Sequence, residues 1–146
     1  MNNLEKLKIK IFADGANADM IRDLNEFNYI KGFTTNPSLM KKAGVKDYKE
    51  FAIKILSKIK NKPISFEVFS DDLIEMEKQA EEISTWGKNV NVKIPITNTQ
   101  KKSTSKIIER LSNKGIICNI TAIFTIKQLK EVVDILNKDT PSILSV

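Results

Sequence analysis

The stretch Val90-Asn91-Val92-Lys93-Ile94-Pro95-Ile96 is a short, mainly apolar run with one lysine at its centre. Its length and its β-branched residues predict a buried strand. Because side chains alternate across a strand, Val92 and Ile94 should face a covering layer of helices, and Lys93 should face the opposite side. The sequence therefore predicts a lysine on the inner face of a parallel sheet.

Strand-like and helix-like segments alternate on both sides of this run. The predicted strands are residues 8–14, 32–36, 63–69, 90–96, 115–121 and 142–146. The predicted helices are residues 17–28, 47–60, 103–112 and 125–137, with a further helix that Ser70, Asp71 and Asp72 cap and that runs to about residue 86. This alternation predicts an α/β fold with a parallel sheet and right-handed crossovers.

Two architectures fit such a pattern, an open doubly wound sheet and a (β/α)8 (TIM) barrel. The segment Asp14-Gly15-Ala16-Asn17 lacks the G-x-G-x-x-G pattern, which counts against a Rossmann domain but not against a flavodoxin-like one. Each predicted strand carries a polar residue near its carboxyl end. In a barrel these residues would converge on one mouth, whereas in an open sheet they would form a line. They are Asp14, Asn36, Glu67, Lys93, Asn119 and Ser145.

Composition excludes several kinds of chemistry. The chain has no histidine and one cysteine, Cys118, so histidine-based triads are excluded and no metal site is expected. Of the 24 Lys+Arg, only Arg22 and Arg110 are arginine, and the lysines are spread among acidic residues, which indicates a solvated surface rather than nucleic-acid binding. No apolar run reaches the roughly 18 residues of a membrane span, and Met1–Lys6 lacks an apolar signal region. We expect a cytoplasmic protein without membrane partners.

Four of the candidate residues also have an explanation that involves no catalysis. Asp14 and Asn36 are typical helix caps or turn formers. A carboxylate such as Glu67 in a buried strand needs a partner, and Lys93 is the obvious one. Lys93 itself could extend to water. Against this, burial of a lysine disfavours its charged form, and a neutral amine attacks ketones to form an imine that acts as an electron sink.

Four motifs, in this order along the chain, resemble the transaldolase family. They are Asp14 after an apolar strand, Gly32-Phe33-Thr34-Thr35-Asn36-Pro37-Ser38, Val92-Lys93-Ile94-Pro95 and Cys118-Asn119-Ile120-Thr121. The resemblance extends from about residue 8 to residue 146. It implies a (β/α)8 barrel that transfers a dihydroxyacetone unit between sugar phosphates, with no cofactor.

The resemblance also assigns roles to individual residues. Lys93 matches the Schiff-base lysine and Asp14 the acid–base group. Glu67 matches the carboxylate that holds a catalytic water, and Thr121 the threonine that orients it. The residues that match substrate-contacting side chains are Asn36, Asn119 and Ser145, to which Thr34 is added because it shares the inward parity of Asn36.

A carboxylate at Glu67 favours transaldolase over fructose-6-phosphate aldolase, whose members tend to have glutamine there. A deoxyribose-phosphate type of aldolase and a non-enzymatic flavodoxin-like binding module also fit the pattern of strands and helices. A complete barrel takes about 250 residues, so we interpret residues 1–146 as one barrel domain that is incomplete at its C-terminus, with about six strands and five helices. The family's phosphate-binding arginine is expected beyond Val146. The sequence thus predicts a fragment that is inactive alone, from a full-length protein that can form a homo-oligomer.

Overall fold

The computed structural model describes Leu4 and residues 8–146. The prediction about a signal region concerns Met1–Lys6. Of these residues, the structure describes only Leu4. The described chain groups into two compact units. Unit 1 comprises the residues up to Phe66 together with Trp86–Asn89, and unit 2 comprises Glu67–Thr85 together with Val90–Val146.

Unit 1 contains three parallel strands and three helices. The strands are β1 (Ile11–Asp14), β2 (Ile30–Thr34) and β3 (Ile64–Glu67), of which the last residue belongs to unit 2. The helices are α1 (Ala18–Asn25), α2 (Pro37–Lys42) and α3 (Tyr48–Lys58). Strand β2 lies between β1 and β3 and is parallel to both. A flavodoxin-like sheet would instead place β1 between β2 and β3, so the doubly wound architecture is wrong.

Apolar burial and side-chain caps explain the helices of unit 1. Asn17 and Asp47 cap α1 and α3, because their side chains accept backbone N–H groups of the first turns. Ala52 and Ile55 on α3 are almost fully buried, as are Phe33 and Ile64 on the strands. These four side chains form part of the core of unit 1, whereas Met20 and Phe27 of the predicted apolar stripe in residues 17–28 are 47% and 45% exposed.

Helix α2 was not predicted. The sequence predicts that Pro37 ends the strand of residues 32–36, but this proline occupies the first turn of α2, directly after the capping residue Asn36. Proline is favoured there because that position needs no backbone N–H. Gly44, just after the C-terminus of the helix, has a φ of 71°. This left-handed backbone conformation is common in the residue that follows a helix.

Unit 2 contains the end of β3, three further parallel strands and three helices. They are α4 (Leu73–Ser84), β4 (Val90–Pro95), α5 (Ser105–Asn113), β5 (Cys118–Thr121), α6 (Ile126–Ile135) and β6 (Ser142–Leu144). Strand β5 lies between β4 and β6. Helix α5 packs against α4 and against α6. Neighbours in the sheet are thus neighbours in the chain.

The predicted fold class is confirmed. Both units have parallel strands in chain order with helices between them, which is the α/β connectivity of a (β/α) barrel. The described chain has six strands and, because of α2, six helices rather than five. In the part of the chain that the structure describes, no helix combines the length and apolar character needed to cross a bilayer.

Candidate active site

Lys93 and Glu67 form an ion pair at the carboxyl ends of β4 and β3. The Nζ atom of Lys93 lies 3.2 Å from Oε2 of Glu67, and the two side chains are 16% and 19% exposed. The backbone N–H of Val68 donates to the carbonyl of Lys93 at 3.0 Å, which holds the end of β3 beside β4. The amine and the carboxylate are therefore within proton-transfer reach of one another and largely shielded from water.

The face of the sheet that carries Lys93 is polar, and the opposite face is apolar. Lys93 is in register with Asn119, and Pro95 is in register with Thr121. Alternation along each strand places these side chains on one face. On the other face, Val92, Ile94, Cys118 and Ile120 are completely buried. The predicted orientation of the strand around Lys93 is thus the one observed.

Two predicted substrate contacts are bonded to each other in unit 2. The hydroxyl of Ser145 donates to Oδ1 of Asn119 at 2.8 Å. The backbone N–H of Ser145 donates to the carbonyl of Ile120 at 2.8 Å, which places Ser145 just beyond the end of β6. Asn119 and Thr121 are 2% and 9% exposed. Unit 2 therefore brings together five predicted site residues on one polar face: Glu67, Lys93, Asn119, Thr121 and Ser145.

The other three predicted residues belong to unit 1. Asp14 and Thr34 are paired in the register of β1 and β2, and the hydroxyl of Thr34 donates to Oδ1 of Asp14 at 2.8 Å. Asn36 accepts the backbone N–H of Leu39 at 2.9 Å through Oδ1, so this oxygen caps α2. The capping explanation is thus correct for the Asn36 oxygen.

The contact between Thr34 and Asp14 was missed from the sequence. From its parity with Asn36, the sequence predicts that Thr34 contacts substrate, and it predicts no link to Asp14. The register of β1 against β2 shifts between Ile11 and Phe12. An alternating pattern does not reveal such an irregularity, and so it does not predict which residue of β2 lies beside Asp14.

Cys118, the single cysteine, lies on the face of the sheet opposite to Lys93. Burial raises the pKa of the Cys118 thiol to about 12, because the thiolate would lose its hydration. Its side chain is completely buried on the apolar face. A thiol in that position does not supply a nucleophile at neutral pH.

Two further observations concern metal binding and the position of a cavity. Among the described residues, no group of three or more Cys, Asp or Glu side chains is arranged to hold a metal ion. A cavity of about 470 Å³ is lined by seven residues of the segments that follow β3 and β4, and neither Lys93 nor Glu67 is among them. The lining residues are Asp71, Asp72, Leu73, Ile74, Asn98, Gln100 and Lys102.

Fold and site define a (β/α)-repeat protein with a shielded lysine–carboxylate pair at the carboxyl ends of parallel strands. Residues 11–146 match the family model described as Transaldolase/Fructose-6-phosphate aldolase. The chain belongs to this family.

Several curated proteins are similar to the chain. It is 38% identical over 120 residues to a "Probable transaldolase" of Dehalococcoides mccartyi, an alignment that covers 82% of this chain and 54% of that protein. It is 42% identical over 120 residues to proteins of the same name from Thermoanaerobacter sp. and Methanococcus maripaludis, with 82% of this chain and 53% of each relative covered. The chain therefore spans about half the length of these relatives.

Proposed function

We propose that the whole protein is a transaldolase that forms a Schiff base through Lys93 and transfers a dihydroxyacetone unit between sugar phosphates. The observation that supports this best is the 3.2 Å pair between Lys93 Nζ and Glu67 Oε2 on a polar, mostly shielded face. A primary amine with a carboxylate in contact is the arrangement that imine formation and hydrolysis require.

In the first step, the neutral amine of Lys93 attacks the C2 carbonyl carbon of a ketose phosphate. A C–N bond forms, and the carbonyl oxygen takes a proton and later leaves as water. Glu67 is proposed to exchange the protons of this step, and Thr121 to orient the water. The product is an iminium ion, which draws electrons from the neighbouring carbon–carbon bond.

In the second step, Asp14 is proposed to take the proton from the C4 hydroxyl. The electrons of the C3–C4 bond move to the iminium nitrogen, so an aldose phosphate leaves and an enamine remains on Lys93. The enamine attacks the aldehyde carbon of an acceptor aldose phosphate, and Asp14 returns its proton to the oxygen that becomes the new C4 hydroxyl. Water then hydrolyses the iminium ion and releases the new ketose. The hydrogen bond from Thr34 holds the Asp14 carboxylate in place.

Substrate hydroxyls are proposed to bind Asn36, Asn119 and Ser145. Because Oδ1 of Asn36 caps α2, the amide nitrogen is its group for the substrate. The bond between Ser145 and Asn119 fixes the orientation of both side chains. The iminium ion acts as the electron sink, so the proposal involves no cofactor. Sugar phosphates are the proposed substrates, and the proposal involves neither nucleic acid nor membranes.

Transfer distinguishes this proposal from a fructose-6-phosphate aldolase. Supplied with fructose 6-phosphate and erythrose 4-phosphate, the whole protein should produce sedoheptulose 7-phosphate and glyceraldehyde 3-phosphate. Lys93→Arg keeps the positive charge and removes the primary amine, so that variant should lose the activity. Release of free dihydroxyacetone without transfer would identify the aldolase instead, and unchanged transfer by Lys93→Arg would contradict the assignment of Lys93.

A further inference from the structure

Three hydrogen bonds join the segment after β3 to the segment after β4. The carboxylate of Asp71 accepts the backbone N–H of Thr99 at 2.7 Å through Oδ1 and the hydroxyl of Thr99 at 2.6 Å through Oδ2. In return, Nδ2 of Asn98 donates to the backbone carbonyl of Asp71 at 3.0 Å. We call these three bonds the 71–99 clamp.

The segment after β4 is a closed turn that presents Thr99 in a fixed position. Thr97 and Ser103 form an isolated antiparallel bridge at its base. Asn98, which is 8% exposed, accepts the N–H of Lys102 at 2.9 Å through Oδ1, and its backbone carbonyl accepts the N–H of Lys101 at 3.0 Å. Lys101 has a φ of 62°, which is the left-handed conformation that such a tight turn needs.

The segment after β3 is held on its other side by helix α4. Oε1 of Gln79 accepts the backbone N–H groups of Phe69 and Ser70 at 3.1 and 2.9 Å. The chain between Glu67 and Asp71 is therefore held by α4 at its centre and by the clamp at its end. Because the clamp bonds to a turn that continues from β4, it links the backbone that carries Glu67 to the backbone that carries Lys93.

The distance between the Lys93 amine and the Glu67 carboxylate, which the clamp is proposed to maintain, can vary little without a loss of rate. Proton transfer between an amine, a carboxylate and a water needs heavy-atom distances of about 2.6–3.2 Å. A displacement of about 1 Å in such an arrangement lowers rates by about 10²-fold. Charge-assisted hydrogen bonds of the length seen at Asp71 restrict movement of the two segments more than neutral ones do.

We propose that Asp71, through the 71–99 clamp, is a positioning residue that holds Glu67 against Lys93. The kinetic part of this inference rests on the proposed function, and the geometric part concerns only the ion pair. A clamp with a purely structural role would stabilise the two segments without affecting the distance between the amine and the carboxylate.

The first test measures Lys93 without substrate. The whole protein is treated with formaldehyde and a mild borane reductant, and methylation of each lysine is followed by mass spectrometry. Glu67 shields the amine in the intact pair, so Asp71→Ala should raise the methylation rate of Lys93 several-fold. The rate at the exposed Lys106 on α5 serves as the internal reference and should not change.

Asp72→Ala is the matched control variant. Asp72 caps α4 through the N–H groups of Ile74 and Glu75, and it is adjacent to Asp71 without being part of the clamp. This variant should weaken the start of α4 but leave the methylation rate of Lys93 unchanged. Equal rates at Lys93 in the wild type and Asp71→Ala would overturn the proposal, as would an equal rise in both variants.

The second test is kinetic. Asp71→Ala should lower kcat about tenfold or more with little change in KM, because the misplaced groups act in the reaction and not in binding. Thr99→Ser keeps the hydroxyl and should retain wild-type kcat, whereas Thr99→Val should lose part of it. Equal kcat in Thr99→Ser and Thr99→Val would contradict the role of the hydroxyl bond. Absence of any transaldolase activity in the wild type would refute the proposed function, while the methylation rates would still decide whether the clamp holds the pair.

Discussion

At the scale of single residues, the ion pair of Lys93 and Glu67 is the central feature. The charges are mostly shielded, and each is the other's partner at 3.2 Å. Such a pair contributes little to stability on its own, because desolvation of the two charges offsets much of their attraction. We therefore propose that this pair serves imine chemistry rather than folding stability.

Thr34 provides a residue-scale prediction. Its hydroxyl donates to Asp14 at 2.8 Å, so Thr34→Val should leave that carboxylate free to rotate. We expect kcat for donor transfer to fall about tenfold while KM for the donor changes little, which steady-state kinetics of the whole protein will measure. Thr34→Ser is the control and should keep wild-type kcat. A rise in KM without a change in kcat would show instead that Thr34 binds substrate.

At the scale of strands and helices, Gly32 fixes how β2 packs beside β1. A Cβ atom at this position would lie 2.3 and 2.7 Å from two ring atoms of Phe12 and 3.0 Å from Pro63. Gly32→Ala should therefore lower the free energy of unfolding by about 1–3 kcal/mol, as overpacking of a core does.

Urea denaturation followed by the fluorescence of Trp86 measures this effect. Gly15→Ala is the matched control, because its Cβ would make an ordinary contact of 3.5 Å with Met20. Equal stability of Gly32→Ala and Gly15→Ala would show that the contact at Phe12 is relieved without cost.

The helices of unit 2 provide a prediction about pH. Arg110 on α5 donates to both carboxylate oxygens of Glu77 on α4, at 2.7 and 2.6 Å. These bonds lower the pKa of Glu77 from its ordinary value of 4.5. A carboxylate with a lowered pKa contributes stability that is present above pH 4.5 and is lost as the pH falls through the lowered value.

The measurement is the difference in the free energy of unfolding between the wild type and Glu77→Gln. That difference should be roughly 0.2–1 kcal/mol near neutral pH, since the pair is partly exposed, and should shrink below about pH 4.5. The subtraction is needed because Asp71 and Glu131 also have lowered pKa values and titrate in the same direction. A difference that stays constant from pH 7 to pH 3 would contradict the role of this ion pair.

Hydrophobic periodicity predicts strands and helices well where one of their faces is buried. The alternation of Val92, Lys93 and Ile94 correctly separates the apolar face from the polar one. By contrast, α2 was missed because Pro37 ends a strand as readily as it begins a helix, and only six residues form that helix. The clamp between Asp71 and Thr99 was missed because both lie in irregular segments, where contacts depend on backbone geometry and not on a repeat.

At the scale of the molecule, the order of strands within each unit decides the fold class, and the family follows from a match over residues 11–146. Motif order along the chain was sufficient to predict that family. Individual contacts were less predictable. The contact between Lys93 and Glu67 was expected because a carboxylate in a buried strand needs a partner. The bond between Ser145 and Asn119 depends instead on where β6 lies beside β5.

The central claim is that Lys93 forms the imine. The most direct test treats the whole protein with fructose 6-phosphate and sodium borohydride and then maps the modified peptide by mass spectrometry. The account predicts one reduced adduct, on Lys93, and none in Lys93→Arg. An adduct on another lysine, or no adduct in the wild type, would contradict it.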